Sequence, residues 1–304
     1  MNNPNKFKLK HLPKLLVKAG SSWFNGEPFE RSAIVAYYAI LSLPALIIII
    51  LNVVGSIWGR DIVQGELLDE ITKAIGPDTA DSIRLMMVDR GNESTSIFAT
   101  VVGIITLIYG STGVFFQLQS ALDKIWDQKP KYKNSIIATL ISRAKSFGFI
   151  LIIGFLLLTS FILTSLLSTF SKNLERLLPD SLFEYLYVFD FLISIAFIYV
   201  LFAAMFKFLP SATITWKSVR VGALLTTLLF LIGKYLLAIY FHEMQPGSTY
   251  GAAGSIILIM LWVSYTSIIL LFGAHFTKVY SDRYVKSLIL PETLQIPQKE
   301  KQKE

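Results

Sequence analysis

The chain has 304 residues, of which 53% are hydrophobic and only 16% charged, whereas soluble domains carry roughly 25% charged residues. The absence of cysteine excludes disulfides, iron-sulfur clusters, thiolate zinc sites and a cysteine nucleophile. A formal charge of +7 would suit nucleic acid only if the basic residues shared a folded face with base-reading or stacking groups. They lie instead between uninterrupted apolar blocks of the length needed to cross hydrocarbon.

The first 30 residues are basic and interrupted by Pro4, Pro13 and Pro28, with no apolar core before Ala33. That is not the pattern of a cleavable signal peptide, so the first span is expected to direct insertion. Leu12, Leu15, Leu16, Ala19 and Trp23 recur every three or four positions beside Lys10, Lys14 and Lys18. An interfacial helix fits that spacing; a mobile basic tail fits it equally.

Six spans follow, at about Ala33 to Trp58, Ser96 to Leu118, Lys145 to Phe170, Leu182 to Phe206, Val219 to Phe241 and Gly251 to Val279. Lipid offers no partner to a bare peptide group, and a barrel would show short alternating segments, so all six are expected to be helices. The fold class is therefore all-α. Residues 1–32 form a cytoplasmic segment, 33–280 the six-helix membrane domain and 281–304 a cytoplasmic tail.

The long segment between the first two spans, Gly59 to Thr95, is acidic. Ile62, Leu67, Leu68, Ile71 and Ile75 follow helical spacing, and Gly76-Pro77 ends one helix and opens another carrying Ala80, Ile83, Met87 and Val88. An external helical hairpin over residues 60–95 is expected, serving as a lid or docking surface, or simply capping the span ends.

Orientation follows from lysine and arginine, which hold loops on the cytoplasmic side. One set of segments contains Lys6 to Arg31, Lys124 to Lys145, Lys207 to Arg220 and the tail from Lys278, and so most of the 28 basic residues. The opposite set holds only Arg60, Lys73, Arg84, Arg90, Lys172 and Arg176, with Lys234 inside a span. Both ends of the chain are thus expected in the cytoplasm.

Several local patterns occur together in order. They are Ala36-Tyr37-Tyr38 with Leu43-Pro44; Gly59-Arg60, Gly65 and Gly76 with Ala80; and Gly110, Phe116, Gln119, Ala121-Leu122 and Ile125-Trp126. Leu209-Pro210 with Trp216, Tyr250-Gly251-Ala252, Leu261-Trp262 and Gly273-Ala274 complete the series. In these the chain resembles the YihY/BrkB membrane proteins, some of which were labelled ribonuclease BN. It departs from their pattern at Asp123, where Asn is usual, and at His275, where Gly-Ala-Glu is common. The resemblance implies a six-span bacterial inner-membrane protein with suggested parts in envelope transport and virulence.

A hydrolytic ribonuclease would need metal-binding carboxylates and histidines close together, or an acid-base pair in a soluble cleft. His11, His242 and His275 fall in separate parts of the expected topology, and Asp69-Glu70 lies on the outer side. The chain is therefore read as non-enzymatic, with no metal, no cofactor and no nucleic-acid partner. Nothing resembles a nucleotide-binding loop.

Polar groups inside the spans are the candidate functional residues, because an ionisable side chain at mid-membrane costs about 2.5–3.5 kcal/mol on insertion scales. Asp190 and Lys234 lie about 12 and about 10 Å from the outer ends of the fourth and fifth spans. They could pair or share a hydrated cavity; otherwise Lys234 snorkels outward and Asp190 faces outer water. Gln117, Gln119 and Asp123 end the second span, with Gln119 and Asp123 four residues apart on one face. Tyr37, Tyr38, Trp262, Tyr265 and His275 are further candidates for an internal polar surface. Pro44 is expected to kink the first span, and Gly110, Gly113, Gly251 and Gly254 to permit close packing or bending. The expected role is transport or export of an amphiphilic or lipid-like envelope component, with the bilayer as the main partner and a homo-oligomer allowed. The rival is a membrane scaffold for envelope proteins.

Overall fold

The computed structural model describes residues 9–53, 59–75, 77–88, 112–127, 183–244, 246 and 254–285. Among these there is no strand. After a short 3-10 turn at Leu9–His11, the helices are α1 (Leu12–Phe24), α2 (Pro28–Val53), α3 (Arg60–Ile75) and α4 (Pro77–Val88), then α5 (112–125), α6 (Phe183–Phe208), α7 (Trp216–Met244) and α8 (Gly254–Tyr284). The expected third span and the first part of the second lie outside the described residues, as do Gly110 and Gly251.

Among the described residues two stretches, Trp216–Phe241 and Gly254–Tyr284, are long and apolar enough to cross a membrane, and Leu192–Phe208 is a shorter apolar stretch. On α7 the side chains of Leu224, Leu228, Ile232, Tyr235, Leu236 and Ile239 are exposed along the helix. Water would penalise a continuous apolar surface of this kind, whereas hydrocarbon accepts it.

Helix α8 is the centre of the assembly, packing against α1, α2 and α7 and touching α3 and α4. Its contact with α7 rests on two glycines. A Cβ at Gly222 would collide with the Thr277 side chain, and one at Gly273 would collide with Thr226. Each threonine lies four residues beyond a glycine of its own helix and donates its hydroxyl back to that glycine's carbonyl, at 2.8 Å for Thr226 and 2.7 Å for Thr277. The hydroxyls are thus satisfied within their own helices, and the two antiparallel backbones approach through a reciprocal glycine-threonine fit.

A single apolar cluster joins the neighbouring ends of five helices. It contains Val35 of α2, Leu118, Leu122 and Ile125 of α5, Phe202 and Phe206 of α6, Val219 and Ala223 of α7, and Leu270, Leu271 and Ala274 of α8. Buried aromatic and aliphatic side chains from all five fill this end of the bundle.

The amphipathic segment near the N-terminus is a helix, α1, with Leu15 and Ala19 buried against Phe276 and Val279 of α8. His11 meets Tyr284, Ser22 meets His275, and Trp23 meets Phe272, so α1 runs antiparallel to the end of α8. The next contact, between Ser264 and Ser32 at 3.1 Å, continues the same line into α2. The segment therefore stands along α8 rather than trailing as a tail. Helix α2 runs through Pro44 with its helical assignment unbroken.

Helices α3 and α4 pack against each other, as the Gly76-Pro77 punctuation predicts. Val63 and Ile83 pack on Ile259 of α8, with Ile40 and Leu43 of α2 alongside. Those two α2 residues lie about 18 and 22 Å from Pro28 at the helical rise. The pair thus meets the middle of α2.

Replacing Gly222 or Gly273 by Leu is expected to cost about 1–3 kcal/mol or more through overpacking, read as a lower thermal unfolding temperature in detergent. Gly65→Leu is the control, since nothing lies within 4 Å of a Cβ there, and it should leave that temperature nearly unchanged.

Candidate functional site

The line of α1 and α2 breaks at Asn25, Gly26 and Glu27. Pro28 has no amide hydrogen to donate and disfavours helical geometry in the residue before it, and Glu27 adopts a left-handed backbone at φ 56°. Gly26 fits the break because His275 fills the space beside it: a Cβ there would lie 3.0 Å from His275 Nε2. His275 Nδ1 shares a 3.0 Å hydrogen bond with the Ser22 hydroxyl.

Charged groups surround the break. Arg31 donates from Nε to the Gly26 carbonyl at 2.8 Å and lies 3.4 Å from the Glu27 carboxylate. Lys124, at the end of α5, reaches the same Glu27 oxygen at 3.5 Å. Lys278 of α8 pairs with Asp127, just beyond α5, and Asp127 also has a left-handed backbone, at φ 52°. The turn before α2, the end of α5 and the last turns of α8 are thereby tied together.

A second tie joins α5 to the link between α6 and α7. Asp123 accepts from the Ser211 backbone N–H at 2.6 Å and from its hydroxyl at 2.9 Å. Gln119, only 2% exposed, donates to the same hydroxyl at 3.3 Å, while its own Oε1 has no hydrogen-bond partner among the described residues. An asparagine at position 123 could accept from the backbone through its oxygen and donate to the hydroxyl, so the usual family residue would preserve the link. The same link is held by Lys207, which donates to the Ile214 carbonyl and lies 5.7 Å from the Trp216 ring centroid.

The other expected site residues are dispersed. Tyr38 packs on Gly113, where a Cβ would meet its ring, and exposed Tyr37 lies edge-on to Tyr38 with centroids 5.5 Å apart. Trp262 is edge-on to Phe230 at 6.5 Å, and a Cβ on Gly233 would lie 2.7 Å from the Tyr265 hydroxyl. Gln117 is half-buried on α5 and Gly254 is buried at the start of α8. Lys234 is exposed on α7, and Asp190 belongs to α6 with its side chain outside the described set.

Sequence reasoning selected Gln119, Asp123 and His275 but missed Glu27, Arg31, Asp127, Ser211 and Lys278 as their companions. The available signal was Gly26-Glu27-Pro28, a helix stop followed at once by a start.

A sequence profile of the virulence factor BrkB family matches residues 25–295. The chain is 25% identical over 246 residues to a UPF0761 membrane protein of Pseudoalteromonas atlantica, covering 80% of this chain and 78% of the relative. It is also 25% identical over 252 residues to a UPF0761 membrane protein of Cronobacter sakazakii, covering 81% of each. A Yersinia pestis relative with the same description is 28% identical over 180 residues, or 59% of this chain and 58% of its own. No solved structure matches. The resemblance drawn from the ordered motifs is thus borne out, and the chain is a membrane protein of the virulence factor BrkB family.

Proposed function

We propose that this chain is a six-span protein of the bacterial cytoplasmic membrane that moves an amphiphilic or lipid-like envelope component and performs no catalysis. The observation that carries the reading is the set of polar ties around the break between α1 and α2. Glu27 with Arg31 and Lys124, Asp127 with Lys278, and Asp123 with Ser211 join segments from both termini and both intervening loops across one end of the bundle. The Lys124–Glu27 pair, exposed on both sides, contributes only about 0–1 kcal/mol. The carboxylates of the other ion pairs, Glu27 and Asp127, face solvent, so water can take the place of the cations as their partner when the closure opens, as a gate must.

Topology supports the same reading. The segments joined by these ties are those whose lysine and arginine content predicts a cytoplasmic position. The gate is therefore the inner one, with α1 and the last turns of α8 beside it and the α3–α4 pair toward the opposite side. A reporter fused after Glu304 is expected to be active only in the cytoplasm, and one inserted in residues 89–95 only outside; the reverse pattern would overturn the orientation.

A specific observation favours a second reading, a scaffold that anchors envelope proteins. The end of the bundle beneath the ties is filled by the cluster around Leu122, Phe206 and Leu271, and solid packing needs no pathway. Reconstitution separates the two. In proteoliposomes carrying a fluorescent phospholipid on one leaflet, a transporter should accelerate its transfer above protein-free vesicles, and Asp123→Ala should alter that rate.

The carboxylate hydrogen bonds lost in that variant are worth about 1.5–3 kcal/mol each, so its melting temperature is measured alongside. Asp123→Asn should behave like the unaltered protein. Vesicles in which the folded protein transfers nothing would favour the scaffold.

A further inference from the structure

The charge balance around the break is uneven with respect to burial. Arg31 and Lys278 have side chains only 20% and 22% exposed, whereas the carboxylates that pair with them, Glu27 and Asp127, are 58% and 80% exposed. Arg31 donates to the carbonyl of Gly26, which packs on His275, and Lys278 follows His275 by three residues on α8. Lys124 shares the Glu27 oxygen with Arg31, which keeps the two cationic groups within about 7 Å of each other, the sum of two such contacts. A largely buried guanidinium and ammonium are costly without a counter-charge, and here the counter-charge comes from the solvent side.

Both of those carboxylates also stand on left-handed backbone, and no other non-glycine residue among those described does so. Such conformations cost about 1–3 kcal/mol and persist where the surroundings enforce them, though aspartate tolerates them better than most residues. The carboxylates are held against the cations under strain and could be exchanged for another anion.

We propose that Arg31, Lys124 and Lys278 form a binding site for a phosphate group at the break between α1 and α2, with Glu27 and Asp127 holding its place when it is empty. A planar guanidinium engages phosphate oxygens in pairs, and lysines add point charges. The positive end of the α2 helix dipole lies at the same break. The proposal deepens the transport reading by naming the charged portion of the cargo, yet it concerns binding and stands or falls without any transfer being measured.

The test uses the purified full chain and two probes: inorganic phosphate, and phosphatidylcholine vesicles containing phosphatidic acid, each compared with chloride or with phosphatidylcholine alone. Binding is read by phosphorus NMR and by the shift in melting temperature. The double variant Glu27→Gln with Asp127→Asn, which removes the place-holders, should bind at least one probe about tenfold more tightly than the unaltered chain, a difference of about 1.4 kcal/mol. Arg31→Gln and exposed Lys124→Gln should weaken binding by a similar factor. His275→Glu, which places a fixed carboxylate among the cations, should abolish it.

Lys124→Gln keeps the test decisive if Arg31→Gln fails to fold, because the Lys124 side chain is 65% exposed. Binding of both probes supports a site for phosphate from either source, and binding of the vesicles alone supports a lipid headgroup. Equal affinity of the unaltered chain, the double variant and Lys124→Gln for both probes would overturn the proposal, as would binding of neither.

Discussion

The architecture depends on how closely two antiparallel helices can approach. Gly222 and Gly273 remove the side chains that would hold α7 and α8 apart, and the Oγ1 and Cβ atoms of Thr277 and Thr226 occupy the space, with each hydroxyl donating back to its own helix. In a medium that already solvates leucine, apolar contact alone gives helices little reason to associate, and close packing of small residues supplies it. Once α8 is fixed against α7, its other faces are available to α1, α2 and the α3–α4 pair.

This arrangement gives the two ends of the bundle different characters. At one end, Leu122, Phe206 and Leu271 pack into a continuous apolar mass, and ion pairs tie the start of α2, the end of α5 and the last turns of α8 together. At the other, α3 and α4 rest on Ile259 and reach the middle of α2. The rigid contact between α7 and α8 runs past the polar break between α1 and α2. A change in the charges near His275 therefore acts beside that close helix contact.

Much of the fold was legible because lipid imposes simple rules. Continuous apolar runs predicted the described helices α2, α6, α7 and α8, and Gly76-Pro77 separated α3 from α4. Gly113 was expected to permit close packing and does so against Tyr38. Gly222 and Gly273 were not singled out for packing, because a glycine four residues before a threonine acquires meaning only when its partner helix is known. The site was half legible for the same reason. Asp123 and Gln119 share a helix face, but Ser211 is brought to them by tertiary folding across 88 residues. Arg31 read as part of a basic cytoplasmic segment, whereas the backbone turn at Glu27 places it against the Gly26 carbonyl. The suggested partnership of Asp190 and Lys234 lies outside the described side chains, since that of Asp190 is not among them.

The docking of α1 along α8 joins the beginning of the polypeptide to nearly its end, through His11 with Tyr284 and Ser22 with His275. During synthesis α1 emerges well before α8, so the surface that covers Leu15 and Ala19 is not made until α8 has been translated. Until then its apolar stripe stays open to chaperones and membrane proteases. A ribosome that stalls before residue 272 leaves that stripe uncovered, so the pairing distinguishes polypeptides that carry α8 from those that do not.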